Sequence, residues 1–278
     1  MAISEKILKA PSTTAAIDPR DHFGTVLYTG TGSAQSINGG KFDAAVDLNS
    51  NNGYINVGGA SSVVGSATSD LSFSIWFKIS DASTQSFIVC ADISPYYGKF
   101  NVNNETNGKL RGNFGNGTSA EASIYTTSTG WCDGNWHHLV YTMDWNSGSS
   151  YFDIKFYKDG SLDSSHTTSG TTVGVVGDGF TFGGTNRLDN SSFNPHSKAT
   201  IDQARFYDSV LSASEVTELY NESYADSFKV NFPTGKTATA LYRFNGNAND
   251  ETGAYDGTAS NVIWKYGVNF TPDLVWVK

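Results

Sequence analysis

The nine residues Leu71–Ile79, LSFSIWFKI, constrain this chain more than any other stretch. Read with a period of two, Leu71, Phe73, Ile75, Phe77 and Ile79 share one face, and Ser72, Ser74, Trp76 and Lys78 share the other. This is a core strand. Burying side chains of this kind along one face contributes on the order of 10 kcal/mol before chain entropy is counted.

The same period recurs. Phe152, Ile154 and Phe156 alternate with Asp153, Lys155 and Tyr157, and Lys158-Asp159-Gly160 then makes a turn. KFDAAVDLN and YINVG flank an Asn-rich turn at 49–53, and SFIVCADI, KFNVNNE and KLRGNFG read as strands broken by Gly, Asn and Pro. Gly and aromatic residues are plentiful while Pro and charge are sparse, which suits many short strands joined by tight turns. At 278 residues the chain accommodates one large all-β domain with appendages, or two smaller domains.

One segment has convincing helical character. Ser212 is followed three residues later by Glu215, a capping box, and Val216, Leu219 and Tyr220 then fall on one side. Strict alternation in the strand before it, ATIDQARFYD, puts Asp202, Ala204 and Phe206 on one face and Ile201, Gln203, Arg205 and Tyr207 on the other.

A formal net charge of −9 leaves no basic patch to neutralise phosphates, so neither nucleic acid nor an anionic membrane surface is an expected partner. No run approaches transmembrane length, and MAISEKILKAPSTTAAIDPRD lacks an apolar signal core. The expected location is therefore the cytoplasm or a particle assembled there. Cys90 and Cys132 are too few for a disulfide scaffold and have no metal-ligand spacing, so thiols are expected rather than a bridge.

Catalysis finds little support. Glycoside hydrolysis needs two carboxylates on one strand face, but Glu215, Glu218 and Glu222 lie on the helix, and Asp43 and Asp47 lack a Glu partner. His137 and His138 are adjacent on a strand, point to opposite faces and cannot share one site. No Gly-x-Ser-x-Gly run is present. The protein is expected not to be an enzyme. The loop aromatics Tyr96, Tyr97, Trp145 and Trp131, set among Asn and Asp, offer ring faces and hydroxyl partners for carbohydrate.

IDQARFYDSVLSASEVTELY resembles the closing signature of laminin G-like, concanavalin A-like jelly-roll domains. GKFDAAVDLNSNNGYINVG, the LSFSIWFKI strand, and Trp136-His137-His138 followed by Tyr157-Lys158-Asp159-Gly160 match further family motifs in order, covering about residues 41–222. The resemblance implies an all-β, concanavalin A-like β-sandwich jelly roll with one short helix, an N-terminal arm and a C-terminal β segment. The expected divisions are an arm at 1–22, the jelly roll at 23–224 and the C-terminal segment at 225–278. That last segment contains ALYRFNGNANDETGAYDG, which resembles the family's first strand and loop. It either opens a second module or pairs back to complete the first.

The resemblance also implies a structural Ca²⁺ held by Asp202 and by Asp250 of that loop. The ending PDLVWVK resembles phage structural proteins. The expected function is thus that of a bacteriophage virion structural protein, a tail or fibre component. It would attach to other virion proteins through the arm, contact host-surface glycans or neighbouring subunits, and form a homo-oligomer, with a trimer as one form. A bacterial lectin or adhesin module and a capsid decoration protein are the alternatives.

Overall fold

The alternating segments are strands in the computed structural model, which describes residues 39–49, 53–66, 68–91, 100–115, 120–168, 179–185 and 197–266 together with three isolated two-residue strands. In chain order the strands begin with β1 (Leu27–Tyr28), β2 (Ala34–Gln35), β3 (Ala45–Asp47), β4 (Tyr54–Gly58), β5 (Leu71–Lys78) and β6 (Ser86–Ala91). There follow β7 (Phe100–Asn104), β8 (Leu110–Gly115), β9 (Ala120–Tyr125), β10 (His137–Asn146), β11 (Tyr151–Lys158), β12 (Ser161–Thr167) and β13 (Gly179–Phe182). The last are β14 (Gly184–Thr185), β15 (Asn194–Pro195), β16 (Thr200–Tyr207), β17 (Ala240–Tyr242), β18 (Thr258–Ser260) and β19 (Ile263–Lys265). Two short helices, α1 (Ser61–Val64) and α2 (Ala213–Tyr220), complete the described elements. Neither is long and apolar enough to cross a membrane. The proposed arm at 1–22 and the ending 267–278 lie outside the described residues.

All pairings among the described strands are antiparallel. One sheet runs β12-β11-β10-β5-β16-β3-β19, with β17 also on β16, and the other runs β18-β4-β13-β6-β7-β8-β9. The core lies between them. Phe73, Phe77, Leu139, Tyr141, Ile201 and Phe206 of the first sheet belong to one buried cluster with Val57, Phe100, Val102, Phe180 and Phe182 of the second. Aromatic rings bridge the sheets, with Phe180 and Phe206 centroids 4.5 Å apart and Phe100 and Tyr141 5.8 Å apart. At Gly112 an added Cβ would come within 2.9 Å of the Phe156 ring, so only glycine lets β8 sit this close to the facing sheet.

The segment after α2 adds strands to both sheets. β17 pairs with β16, β18 with β4, and β19 with β3. The chain therefore returns to the sandwich in three short strands.

The eight-stranded sheet is buried on both faces. Val140, Tyr157, Tyr207 and Leu241 on its outer side pack against Leu211, Val216, Leu219 and Phe232 in a second, smaller core. This is why Ser72 and Ser74 are buried although they alternate with the core residues. Ser72 Oγ donates to Ser209 O at 2.8 Å and accepts from Leu211 N at 3.0 Å, while Ser74 Oγ lies 2.9 Å from His138 Nε2. The capping box of α2 forms as its sequence predicts, with Ser212 N donating to Glu215 Oε2 at 2.7 Å and Glu215 N to Ser212 Oγ at 3.3 Å.

Strict alternation fails in β16. The register against β5 shifts between Asp202 and Arg205, and Gln203 between them has a φ of 48°. This β-bulge inserts one residue into the period. Ile201, Ala204 and Phe206 consequently share the core face, whereas Asp202, opposite Trp76, and Arg205, opposite Ser74, share the outer face. The sequence expectation that Asp202 sides with Ala204 and Phe206 is corrected accordingly.

Candidate functional site

Residues directly opposite in an antiparallel pair project to the same face. Followed strand by strand, the register of the seven-stranded sheet therefore writes out its outer surface. One row runs Thr258, Asn56, Thr181, Cys90, Asn101, Asn113, Ser123, crossing every strand of the sheet. A second row on the same face runs Phe87, Asn103, Arg111, Tyr125. Between them Val89, Val102, Gly112 and Ile124 point the other way, into the core.

The side chains of these rows bind one another. Asn113 Nδ2 donates to Asn101 Oδ1 at 2.8 Å and to Asn103 Oδ1 at 3.4 Å, and Ser123 Oγ donates to Asn113 Oδ1 at 2.6 Å. Arg111 Nε donates to Asn103 Oδ1 at 3.4 Å and lies 3.0 Å from Glu105 Oε1. Gln85 Nε2 closes the network, 2.9 Å from each Glu105 oxygen. The result is a fixed amide floor: Asn101, Asn103 and Asn113 are all buried, while Tyr125 at the end of its row is 42% exposed. Phe87, at the other end, is half-buried. Just past Tyr125, Asp163 accepts from Thr127 N at 2.7 Å and Ser128 N at 3.0 Å, and His166 Nε2 lies 2.9 Å from Tyr125 O. These bonds tie the end of β9 to β12 of the other sheet. A guanidinium and two ring faces over this rigid, buried amide floor can receive a hydroxyl-bearing, partly apolar molecule.

The residues singled out from sequence are distributed elsewhere. Tyr96 and Tyr97 lie outside the described residues. Trp145 is half-buried on the other sheet, its ring 4.8 Å from that of Phe152 and its backbone N–H donated to Asp70 Oδ1 at 2.9 Å. Trp131, expected in an exposed loop, is fully buried and stacked on Phe77 at 5.9 Å, because the loop before β10 folds over the end of the core.

Asp202 is buried on the outer face of the eight-stranded sheet, where its Oδ2 accepts from Lys41 N at 2.7 Å and Phe42 N at 3.0 Å. A Cβ at Gly40 would meet this oxygen at 2.7 Å, so the loop needs glycine there. Burial pushes the Asp202 carboxyl up to about 7, against the pull of those N–H groups. Asp250 spends both oxygens on its own surroundings: Leu241 N and Thr252 N reach Oδ1 at 2.9 and 3.0 Å, and Thr252 Oγ1 and Tyr255 N reach Oδ2 at 2.5 and 3.1 Å. Tested against a calcium ion, Asp202 offers one unengaged oxygen, Oδ1, and Asp250 offers none. No group of three His, Cys, Asp or Glu that could hold a metal occurs among the described residues. This donor set does not fit the six or more oxygens that Ca²⁺ takes.

The two histidines occupy different environments, as adjacent strand residues must. His138 is buried against Trp76, with centroids 4.9 Å apart, and burial pushes it down to about 3, leaving it neutral. His137 sits at the rim between Asp159 and Asp133. Cys90 lies in β6 and Cys132 beside Trp131, and both are thiols.

The outer rows went unnoticed in the sequence, although a signal was there. In FNVNN and LRGNFG the polar residues Asn101, Asn103, Arg111 and Asn113 recur at every second position around Val102 and Gly112. What sequence could not supply was the register that lines them up.

Two antiparallel sheets packed face to face, with one outer face covered by a helix, define an all-β jelly-roll sandwich. The chain belongs to the concanavalin A-like lectin/glucanases superfamily, whose laminin G-like model matches residues 49–217, more than half of the chain. Among solved structures it is similar to a Bacteroides ovatus protein whose name proposes carbohydrate binding, at 15% identity and a TM-score of 0.58, covering 81% of this chain and 60% of that one. It is also similar to the binding domain of Paraclostridial mosquitocidal protein 1, at 16% identity and a TM-score of 0.44, covering 60% and 39%. A third is the heptameric SAP-like pentraxin of Limulus polyphemus, at 13% identity and a TM-score of 0.48, covering 81% and 95%. The chain thus spans less than two thirds of the length of the first two. At such identities the likeness is one of fold. No curated protein matches the sequence.

Proposed function

We propose that this protein is a non-enzymatic glycan-binding jelly roll whose binding face is the outer surface of the seven-stranded sheet. The observation that carries the reading is the row Phe87, Asn103, Arg111, Tyr125, which has a ring at each end and between them the part-exposed Arg111, positioned by the buried Asn103. Sugars present CH faces to aromatic rings and hydroxyls to guanidinium groups, so two rings flanking Arg111 suit them. The name of the similar Bacteroides ovatus structure points the same way. The Glu-x-Asp-x-x-Glu motif that hydrolysis on such a sheet would use does not occur in the sequence.

Titration of the full chain against a glycan array, followed by calorimetry on any hit, tests it. Tyr125→Ala and Arg111→Ala are each expected to weaken the hit about tenfold or more while the protein stays folded. A folded wild-type protein that retains no glycan, or a hit indifferent to both substitutions, overturns the reading.

In the fuller form of the proposal the jelly roll is carried on a bacterial virus as a tail or fibre component, assembled in the host cytoplasm and joined to other virion proteins through residues 1–22. Its support is the resemblance of PDLVWVK to phage structural proteins. Mass spectrometry of purified particles, with antibody labelling, tests this; a chain absent from the particles sinks it.

A further inference from the structure

The charges beside the binding row narrow the class of sugar it takes. Arg111 is the sole cation in the row Phe87, Asn103, Arg111, Tyr125. Its Nε lies 3.0 Å from Glu105 Oε1, with the two side chains 23% and 16% exposed. Glu105 is itself held in place, because Gln85 Nε2 donates to both of its oxygens at 2.9 Å and Asn103 Nδ2 donates to Oε1 at 3.4 Å. The positive charge is therefore already matched by a carboxylate that cannot swing away without breaking those bonds.

A sugar bearing a carboxylate would find Arg111 engaged and Glu105 beside it. Like charges at a half-desolvated surface repel, and the chain's net charge of −9 adds a repulsive field at longer range. An uncharged sugar meets no such penalty. Phe87 and Tyr125 stand three strand spacings apart, about 14 Å, which is longer than a single ring.

Resting on the glycan-binding reading above, we propose that this face takes an uncharged oligosaccharide of more than one ring, and that Glu105 is the residue that turns acidic sugars away.

The test is calorimetry on the full chain with maltohexaose, mannohexaose and galactohexaose as neutral probes and hexagalacturonate as the acidic one, at low and high NaCl. The expected result is binding of a neutral probe that is insensitive to salt, with hexagalacturonate at least about tenfold weaker at low salt. Glu105→Gln should narrow that gap about tenfold by freeing Arg111 to meet the uronate. If hexagalacturonate binds the wild type as tightly as any neutral probe, the present inference fails and the glycan reading stands. If no probe of either kind binds folded wild-type protein, the present inference fails, and the glycan reading fails with it only if the array also gives no hit. The wild-type comparison decides the matter even if Glu105→Gln does not fold.

Discussion

Arg205 and Glu222 meet at 2.7 Å with both side chains essentially out of water. Arg205 comes from the outer face of β16 and Glu222 from just beyond α2, so the pair pins the end of the helix to the sheet. Arg205 Nη2 also donates to Asp226 O at 3.2 Å, extending the clamp along the following loop. Burial raises the Glu222 carboxyl above its ordinary value, and the Arg205 charge pulls it part of the way back.

Because both partners are buried, removing one should cost far more than removing both. Glu222→Ala strands a guanidinium in the interior and is expected to cost about 3–5 kcal/mol in urea denaturation. The double change Arg205→Met with Glu222→Leu leaves no orphan charge and should lie close to the wild type. A double variant no more stable than the single would show that the outer layer depends on the ion pair itself.

Gln203 should tolerate glycine better than any branched residue. Its φ of 48° lies in the left-handed region, and its Nε2 donates to Ser227 O at 2.7 Å. Gln203→Val is expected to lose this bond and to strain the bulge, destabilising by about 1–3 kcal/mol. Gln203→Gly loses the bond but relieves the backbone, so its denaturation midpoint should fall less. The reverse order would mean that the bulge is not what fixes the register of β16.

That bulge marks how far the sequence could be read. A clean period of two revealed β5 and β11, and a local side-chain exchange revealed the start of α2, because neither depends on distant residues. One inserted residue in β16 has no signature of its own, so strict alternation joins Asp202 to Ala204 and Ile201 to Arg205, and the bulge parts both pairs. Trp131 looked exposed for a related reason: Gly and Asp around it spell a turn, but not that the turn closes over Phe77. The row Phe87, Asn103, Arg111, Tyr125 draws on four strands. Its members were each visible as polar or aromatic residues, and only their pairing makes them neighbours.

His137 should make stability fall as pH rises above about 6.5. Its Nδ1 lies 2.9 Å from Asp159 Oδ2 and its Nε2 lies 3.1 Å from Asp133 Oδ1. A neutral ring can donate from one nitrogen only, so serving both carboxylates requires the imidazolium. Burial works to lower its pKa and Lys158 adds to that, but the bonds and charge of Asp159, with the bond to Asp133, hold it above the ordinary value. A raised histidine contributes stability that is complete below about 6.5 and lost as pH rises through the folded value. The two acids have the opposite sense: both are depressed, Asp133 to about 2, and their contribution fades only as pH falls toward that value. Urea midpoints should decline more steeply above about pH 6.5 in the wild type than in His137→Gln. Parallel profiles would show that the ring is neutral in the fold.

Asp202 should make the protein more stable in mild acid than in mild base, and independent of calcium. Its carboxyl is raised by burial from an ordinary 3.8 to about 7, so the native state keeps a proton that the unfolded chain has already released. Stability is then complete below about pH 4 and is lost progressively as pH rises to about 7, after which this contribution is flat. Asp202→Asn keeps an oxygen for the Lys41 and Phe42 N–H groups and removes the titration, so it should match the wild type near pH 4 and exceed it near pH 8. Lys41 complicates the site in a predictable way. Its Nζ lies 3.8 Å from the centre of the Trp76 ring, and burial lowers its pKa against the charges of Asp159, Asp202 and Glu222. The fixed ammonium supplies positive charge of the kind a metal ion would otherwise bring. Calorimetric unfolding in CaCl₂ and in EDTA should therefore give the same Tm. A Tm that rises with calcium in the wild type but not in Asp202→Asn would instead place a cation on Oδ1, with the remaining oxygens coming from outside the described residues or from water.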